Sequence, residues 1–409
     1  MSEWVIERLG HLGDGIAAGP VFAQRCLPGE RITGRLEGDR IEDVRILEPS
    51  PHRVSPPCRH FKSCGGCAVQ HADDAFVAEW KLGIVRTALE AHGLETEYRP
   101  VHSSPARSRR RAVFSGRRTK RDALIGFHGR ASDVVIDVPG CVLVEPALLA
   151  ARPALAEMIL LGGSRKGELS FTVTLSAEGP DIAVSGGKPL DLDLRMALAG
   201  LVERHGLSRL SWGDEVVGLR AAPRVDFDGI AVTPPPGAFL QATRDGETAL
   251  LKAITEAVGS ARQAVDLFAG CGTFTLPLAR HAELHAVEGA KELTDALIAG
   301  WRNASGLKHV SAETRDLFRR PLLPDELRKF EAAIIDPPRA GALAQTEQLA
   351  ASGIDRVAAV SCNPVTFARD AGLLVAAGFR LDWVQVVDQF RWSTHVELAA
   401  SFSRDHIGG

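Results

Sequence analysis

The C-terminal part of the chain alternates short, uninterrupted apolar segments with stretches long enough to form helices. After Gly237 the apolar segments are AVDLFAG, LHAVEG, FEAAIID, RVAAVSCN and the closing VELAASF. Strands that are buried on both faces are apolar throughout, and parallel strands need a long crossover that is usually a helix. The pattern therefore predicts an α/β fold in which residues 241–409 form a doubly wound, mainly parallel sheet.

Two of the predicted strands end in carboxylates, and the first of them is followed by glycines. Asp266 ends the first strand, Gly270 and Gly272 follow it, and Glu288 ends the second strand. Glycines let the backbone approach a ligand at this edge of the sheet, and the second carboxylate can accept hydrogen bonds from ribose hydroxyls. Because the third glycine of a dinucleotide fingerprint is missing, an adenosine cofactor such as S-adenosylmethionine is favoured over NAD. A sheet–helix turn that binds no ligand is the alternative.

A third strand runs into the sequence Asp-Pro-Pro-Arg at residues 336–339. The two prolines fix an extended loop and hold the carboxylate of Asp336 at the cleft. Adenine N-methyltransferases have a similar motif in which an aromatic residue follows the prolines. Arg339 occupies that position here, which counts against chemistry on an exocyclic amine.

Cys362 and Glu397 are candidates for a nucleophile and a base. Cys362 lies in SCNP, where another apolar strand ends, in a loop stiffened by Pro364. A thiolate can be presented to a substrate there, although a lone cysteine is more often a small inert residue. Glu397 lies in THVE, at the start of the last apolar strand, where an unpaired buried carboxylate would be costly. A salt bridge is the alternative explanation for Glu397.

The first 240 residues contain many short strands separated by turns. Residues 1–50 predict a small OB-like β-barrel, and four prolines between Pro49 and Pro57 predict a linker. Residues 73–93 have apolar side chains at helical spacing, and we expect this helix to pack on the C-terminal domain. Residues 110–236 predict an antiparallel β-rich region. The expected domains are therefore 1–50, 51–240 and 241–409.

Charge is distributed unevenly along the chain. The 48 Lys and Arg residues nearly balance 51 Asp and Glu, giving −3, but residues 51–130 contain 15 basic and 7 acidic residues, a local charge of +8. Clustered guanidinium groups neutralise nucleic-acid phosphates, whereas a solvated surface is the alternative. We expect nucleic-acid contacts from five arginines of the most basic segment: Arg109, Arg110, Arg111, Arg117 and Arg118.

Seven cysteines are too few to form a disulfide scaffold in a chain of 409 residues. Four of them combine a tight Cys-Gly-Gly-Cys turn with two further thiols: Cys58, Cys64, Cys67 and Cys141. Four thiolates predict a structural metal site, and zinc and an iron–sulfur cluster would use the same donors. Cys26 and Cys271 are assigned no role.

In these motifs the sequence resembles the RNA uridine-C5 methyltransferases, most closely the bacterial branch that modifies 23S rRNA and carries a TRAM domain and an iron–sulfur cluster. DLFAGCGTFTLPLA, DPPRAG, SCNP and THVE match in order and spacing, and GHLGDGIA and LPGE match the TRAM domain. The resemblance implies a Rossmann-like class I methyltransferase domain, RNA as substrate, and S-adenosylmethionine and a [4Fe-4S] cluster as cofactors. One departure is Trp392, near the position where the family usually has proline.

The resemblance also implies roles for individual residues. Cys362 matches the nucleophile that adds to C6 of the uridine, and Glu397 matches the base that removes the C5 proton. Reaching C6 requires the uridine to be flipped out of a loop or bulge. The four clustered cysteines match the ligands of the [4Fe-4S] cluster. Six residues match cofactor-binding positions: Gln241, Phe268, Thr273, Glu288, Asp316 and Asp336.

Several alternative functions remain compatible with parts of the sequence. Bacterial tRNA-modifying members lack the barrel and the cluster, so rRNA is favoured over tRNA. A cytosine-C5 enzyme is expected to have a cysteine after a proline, which the Asp-Pro-Pro motif does not offer. A non-catalytic RNA-binding assembly factor could keep the fold. No apolar stretch approaches about 18 residues and no secretion signal is present, which predicts a cytoplasmic protein without membrane contact. We also expect a monomer.

Overall fold

The N-terminal strands close into a five-stranded barrel. The computed structural model describes residues 2–404. The barrel strands are β1 (Ser2–Leu9), β2 (Asp14–Ala17), β3 (Val21–Gln24), β4 (Arg31–Glu37) and β5 (Arg40–Glu48). They pair in the order β1-β2-β3-β5-β4, and β4 closes onto β1. Ile6, Ile32 and Ile41 fill the interior, because alternate side chains of a strand point to the same side.

A helix and two short strands connect the barrel to the remainder of the chain. These elements are α1 (Asp74–Glu90), β6 (Glu97–Tyr98) and β7 (His102–Ser103). Asp73 caps the helix by accepting a hydrogen bond from the backbone N of Phe76 at 2.7 Å. The buried face of α1, which includes Val85 and Leu89, belongs to the same apolar core as the C-terminal sheet. Helix α1 therefore packs against the C-terminal domain.

A seven-stranded sheet with three helices forms the centre of the molecule. Its elements, together with a separate hairpin, are β8 (Arg111–Arg118), β9 (Ala123–His128), β10 (Val135–Asp137), α2 (Pro146–Ala150), α3 (Arg152–Gly162), β11 (Leu169–Ser176), β12 (Gly179–Ser185), α4 (Leu192–Arg204), β13 (Arg209–Trp212), β14 (Glu215–Leu219), β15 (Val225–Phe227) and β16 (Ile230–Val232). The sheet order is β10-β9-β8-β11-β12-β13-β14. All neighbours are antiparallel except β12 and β13, because α4 crosses over between these two strands.

The C-terminal part forms a second sheet with helices on both faces. Its elements are α5 (Arg244–Val258), β17 (Gln263–Leu267), α6 (Thr275–Leu278), β18 (Glu283–Glu288), α7 (Lys291–Asn303), β19 (Val310–Thr314), α8 (Pro324–Leu327), β20 (Ala332–Ile335), α9 (Leu343–Ala350), β21 (Arg356–Ser361), α10 (Pro364–Ala376), β22 (Arg380–Asp388) and β23 (Leu398–Ser403). The order is β19-β18-β17-β20-β21-β23-β22-β6, and β7 also pairs with β22. The first five strands are parallel, and β23 and β22 complete the sheet in antiparallel pairs.

The α/β fold class and the N-terminal barrel expected from the sequence are confirmed. Strands β6 and β7 precede residue 241 but pair with β22, so the C-terminal sheet recruits backbone from outside the range 241–409. The three-domain division at residues 50 and 240 remains a prediction. Within residues 2–404, we find no helix that combines the length and the apolar character needed to cross a lipid bilayer.

Candidate active site

A cavity of about 600 Å³ opens where β17, β18, β20 and β21 end. Ligands of doubly wound sheets bind at this carboxyl edge. Every residue that the sequence predicts as catalytic or cofactor-binding lines this cavity: Gln241, Phe268, Thr273, Glu288, Asp316, Asp336, Cys362 and Glu397. The fold therefore brings together residues that are up to 156 positions apart, from 241 to 397.

The loop after β17 is held in an unusual backbone conformation. Phe268 and Gly270 have φ angles of 65° and 56°, in a region that glycine enters freely and other residues enter at a cost. The Glu288 carboxylate accepts hydrogen bonds from the backbone N of Gly270 at 3.0 Å and of Ala290 at 3.1 Å. These bonds orient Glu288 at the cavity wall and fix the loop beside it.

Two aromatic rings and a carboxylate lie near this loop. The ring centroids of Phe268 and Phe318 are 5.4 Å apart, and Phe318 is 49% exposed. The backbone N of Phe318 donates to Asp316 Oδ1 at 3.0 Å, which holds the carboxylate next to the ring. An exposed aromatic face beside a hydrogen-bond acceptor suits a flat heteroaromatic ligand with amino groups.

Cys362 lies between β21 and α10, at the edge of the cavity. Asn363 caps α10 by accepting a hydrogen bond from the backbone N of Val365 at 3.1 Å, so the cysteine is held at a rigid strand–helix junction. Burial, followed by the charges of Glu397 and Asp336, raises the pKa of the Cys362 thiol, and Arg339 acts in the opposite direction. The thiol is therefore within electrostatic reach of both acids.

Glu397 is 3% exposed and accepts a hydrogen bond from Gln389 Nε2. Burial and the neighbouring Asp336 raise the pKa of Glu397 to about 8, and desolvation raises the pKa of Asp336 to about 7. Within the described residues 2–404 no basic side chain forms an ion pair with Glu397, so the salt bridge considered from the sequence is not what holds it. A carboxyl group of this kind can exchange a proton with a substrate near neutral pH.

The comparisons with known proteins agree with this geometry. The model of the tRNA (uracil-5-)-methyltransferase family matches residues 233–404. A protein of Rhizobium meliloti (strain 1021) named as an uncharacterized RNA methyltransferase is 42% identical over 98% of each chain. The 23S rRNA (uracil(1939)-C(5))-methyltransferase RlmD of Chromohalobacter salexigens is 32% identical over 98% of this chain and 89% of its own. The chain belongs to the RNA uracil-C5 methyltransferase family.

A solved structure supports the fold of this family member over its whole length. The tRNA (uracil-54, C5)-methyltransferase of Pyrococcus abyssi, in complex with S-adenosyl-L-homocysteine, superposes with a TM-score of 0.75 at 21% identity. The match covers 98% of this chain and 99% of the other. The prediction of an S-adenosylmethionine-dependent RNA methyltransferase is confirmed at the level of the family.

Several cavity residues of this uracil-C5 methyltransferase were not assigned roles from the sequence. They are Phe239, Phe318, Arg339, Phe390 and His395. Three of them stand two positions from a predicted site residue: Phe239 before Gln241, Phe318 after Asp316 and His395 before Glu397. Alternate residues of an extended segment face the same side, so this spacing was the available signal for Phe239 and His395. Phe318 lies in a turn, and Leu317 beside it lines the cavity as well.

The four clustered cysteines surround a second, much smaller cavity of about 20 Å³. Cys58, Cys64, Cys67 and Cys141 line it together with apolar side chains such as Phe127. The backbone N of Gly66 donates to Cys64 Sγ at 3.4 Å, and burial raises the pKa of Cys67 to about 12. A shared apolar pocket and four thiols suit a metal–sulfur group. In residues 2–404 no group of three or more His, Cys, Asp or Glu side chains is arranged to hold a metal ion.

The expectation that Arg110 contacts nucleic acid needs correction. Its side chain is 1% exposed, forms an ion pair with Glu247, and donates from Nε to the carbonyl of Gln241 at 3.2 Å. A buried guanidinium with these partners has no surface to offer a phosphate. Arg110 instead fastens the start of β8 to the segment that carries Gln241.

The other four basic candidates divide between the interior and the surface. Burial lowers the pKa of Arg109 and Arg111, and the Arg109 guanidinium lies 5.7 Å from the ring centre of Phe390 at the cavity. Arg117 is at the surface and pairs with Glu168 at 2.8 Å. Arg118 lies beside it at the end of β8. The alternation of buried Ala112, Phe114 and Gly116 with more exposed neighbours confirms the strand predicted there.

Proposed function

We propose that this protein transfers a methyl group from S-adenosylmethionine to C5 of a specific uridine in 23S rRNA. The observation that carries the proposal is one cavity lined by a cysteine and a buried glutamate together with the acids Glu288 and Asp316. Its volume of about 600 Å³ lies within the range of ordinary ligand sites, about 300–1,000 Å³. A nucleophile, a base and a cofactor site are the three parts that this reaction needs.

Cys362 is the proposed nucleophile and Glu397 the proposed base. The Cys362 thiolate forms a bond to C6 of the uracil, and the electron pair of the C5–C6 double bond moves toward the carbonyl at C4, which makes C5 nucleophilic. C5 then forms its bond to the methyl carbon as that carbon's bond to sulfur breaks. Glu397 takes the proton from C5, the bond between Cys362 and C6 breaks, and the double bond of 5-methyluridine returns.

The residues of the cavity fit S-adenosylmethionine. When bound, it supplies a methyl group on a positively charged sulfur, which leaves readily as a neutral thioether. Glu288, already oriented by two backbone N–H groups, would accept hydrogen bonds from the ribose hydroxyls. Asp316 and Phe268 would hold the adenine, and Gln241 the methionine end. Thr273 and Asp336 complete the proposed cofactor-binding set.

The choice of 23S rRNA over tRNA rests on the similarity to RlmD of Chromohalobacter salexigens, a 23S rRNA uracil-C5 methyltransferase that matches over nearly the full length of both chains. The tRNA alternative corresponds to the activity named for the Pyrococcus abyssi protein of similar fold. That match is 21% identical and supports the architecture alone. We therefore propose rRNA as the substrate.

Cys58, Cys64, Cys67 and Cys141 are proposed to hold a [4Fe-4S] cluster. Four thiols line one apolar pocket, and a backbone N–H is directed at one sulfur, which supports this proposal. The cluster would cross-link residues 58–67 to residue 141 and stabilise the fold there. We propose that the barrel is a TRAM domain that binds RNA phosphates together with Arg117, Arg118 and neighbouring basic residues. We also propose that the enzyme is monomeric and cytoplasmic, with domains at residues 1–50, 51–240 and 241–409.

The test uses radiolabelled S-adenosylmethionine and RNA from a strain that lacks this protein. Label in 5-methyluridine at one position of 23S rRNA is the expected result. Label in tRNA would overturn the rRNA assignment, and the absence of label from all RNA would overturn the activity. Protein purified without oxygen should contain about four iron and four sulfide per chain, as a [4Fe-4S] cluster requires; one zinc and no sulfide would replace the cluster with a zinc site.

A further inference from the structure

Gln389 connects the proposed base to the proposed methyl-donor site. It is 1% exposed and lies directly after β22. Its side-chain Nε2 donates one hydrogen bond to Gln241 Oε1 and a second to Glu397 Oε2. Its Oε1 accepts from the backbone N of Ala242 at 2.5 Å and of Thr243 at 3.3 Å. Every polar atom of this side chain therefore has a partner.

The backbone determines which way the Gln389 amide points. The backbone N–H groups of Ala242 and Thr243 both donate to one end of the Gln389 amide, and only its oxygen can accept them. The NH₂ group must therefore face Gln241 and Glu397. One oxygen of Glu397 is then occupied, which leaves the other as the one free to take a proton. Gln241 must use its own oxygen toward Gln389, so its NH₂ group faces Asp336 Oδ2, 3.4 Å away.

The surrounding fold is built to accommodate this side chain. A Cβ atom at Gly246, in the first turn of α5, would stand 2.7 Å from Gln389 Cβ, closer than real contacts allow. Thr243 caps the same turn by accepting from the backbone N of Gly246 at 2.9 Å. The helix α5 and the loop after β22 can approach each other only with glycine at this place.

We propose that Gln389 is a positioning residue that aims Glu397 at the C5 proton and couples the base to the methyl-donor site through Gln241. The inference rests on the proposed function, because it assigns Glu397 and Gln241 the roles given above. Gln389 itself does not touch the reacting atoms. It acts by holding two side chains that approach them from different elements.

Electrostatics support the same role. The charged and titratable groups around Glu397 are Asp336 after β20, Asp388 at the end of β22 with its partner Lys81 on α1, Cys362 after β21 and His395 in the loop before β23. The N–H of Gln389 lowers the pKa of Glu397, whereas burial, Asp336 and Asp388 raise it. Removing the Gln389 donor therefore raises the pH at which Glu397 ionises.

The first variant is Gln389→Met, which keeps the side-chain length and removes the hydrogen bonds. Its matched control is Gln345→Met. Gln345 is also 1% exposed and exchanges two hydrogen bonds with the backbone of Leu322, but it does not line the cavity. Both substitutions remove a buried amide, so a purely structural effect should appear in both.

We expect Gln389→Met to slow release of the methylated RNA–protein adduct by about ten- to a hundredfold, as loss of a hydrogen bond to a charged group implies. A shifted band should persist on a denaturing gel. The rate of adduct release in a single turnover should increase with pH at a higher pH than in the wild type. The affinity for S-adenosylmethionine should fall. Gln345→Met should release the adduct at the wild-type rate. Equal adduct lifetimes and pH profiles in the wild type and Gln389→Met would overturn the inference.

A second variant covers the case in which Gln389→Met does not fold. Gln389→Glu keeps the shape and the bonds from Ala242 and Thr243 but places a carboxylate against Glu397. We expect the pH profile of adduct release to shift further upward, and an unshifted profile would overturn the positioning role. If the wild type itself forms neither adduct nor 5-methyluridine on the same RNA, the proposed function fails instead, so the two failures are distinguishable.

Discussion

Lys81 and Asp388 form a buried ion pair, with 2.6 Å between Nζ and Oδ1 and side-chain exposures of 0% and 2%. Lys81 lies on α1, and its ammonium also donates to the carbonyls of Phe390 at 3.2 Å and His395 at 2.8 Å. A helix outside the C-terminal sheet thus holds both ends of the loop that precedes Glu397. The geometry of the proposed base depends on this attachment.

Lys81→Met should destabilise the protein by about 3–5 kcal/mol, because it leaves the carboxylate of Asp388 buried without its partner. Denaturant unfolding measures the change. The double variant Lys81→Met/Asp388→Asn should recover part of the loss. Lys291→Met is the control, since the pair Lys291–Asp295 has the same 2.6 Å separation but is 71% and 63% exposed, and exposed pairs contribute little. A loss as small as that of the control would show that the buried pair does not hold the loop.

Cys362→Ala should abolish methyl transfer while leaving S-adenosylmethionine binding near normal, because the thiol forms the bond to C6 and does not hold the cofactor. Radiolabel incorporation and calorimetric titration measure the two properties. Cys271 lines the same cavity, but burial raises its pKa to about 12, so Cys271→Ala should still form the covalent RNA adduct. Methyl transfer by Cys362→Ala would show that Cys362 is not the nucleophile.

Glu397→Gln should trap the methylated RNA covalently on Cys362, because the C5 proton has no acceptor and the adduct cannot collapse. The adduct appears as a slowly migrating band on a denaturing gel. Glu288→Gln gives the contrasting result: weaker binding of S-adenosylmethionine without accumulation of the methylated adduct. Full turnover by Glu397→Gln would assign the base to another group.

The contribution of three carboxyl groups to the stability of the fold should decrease as the pH rises. Burial raises the pKa values of Asp266 and Asp336 from 3.8 to about 7. It also raises the pKa of Glu397 from 4.5 to about 8. Between about pH 4 and pH 8 these three groups keep protons in the folded state that they have released in the unfolded chain, so their contribution to the free energy of unfolding falls with pH and levels off above pH 8. Asp266→Asn should make this slope shallower, as measured by denaturant unfolding at several pH values. An unchanged slope in Asp266→Asn would refute the assignment.

Substitution of Arg117 should affect RNA binding, whereas substitution of Arg110 should affect the stability of the fold. Arg117→Ala should weaken RNA binding and reduce its salt dependence, as loss of a phosphate contact does, with little effect on folding. Arg110→Ala should lower the free energy of unfolding, because Glu247 loses its buried partner. Filter binding across a salt series and denaturant unfolding measure the two effects. Loss of stability in Arg117→Ala with unchanged RNA affinity would contradict the surface role.

Local patterns accounted for the strands and for the main site residues. The alternation around Phe114 predicted β8, and the apolar segments ending in Asp266, Glu288, Asp336 and Cys362 predicted strands whose carboxyl ends meet. Parallel strands in one sheet must present those ends along a single edge, so the cavity follows from order and spacing. The short strands β6 and β7 could not be foreseen, because two residues carry no periodicity.

The sequence by itself therefore determined the fold class and the edge at which the candidate catalytic groups gather. Only the tertiary structure decided that Lys81 pairs with Asp388, 307 residues away, that Arg110 is buried, and that Gln389 joins Gln241 to Glu397. The sequence shows only that a charged or amide side chain is polar, and not whether it is buried or exposed. The role of such a side chain is set by the partners that packing brings to it, because a buried polar group is stable only where donors and acceptors from distant elements meet it.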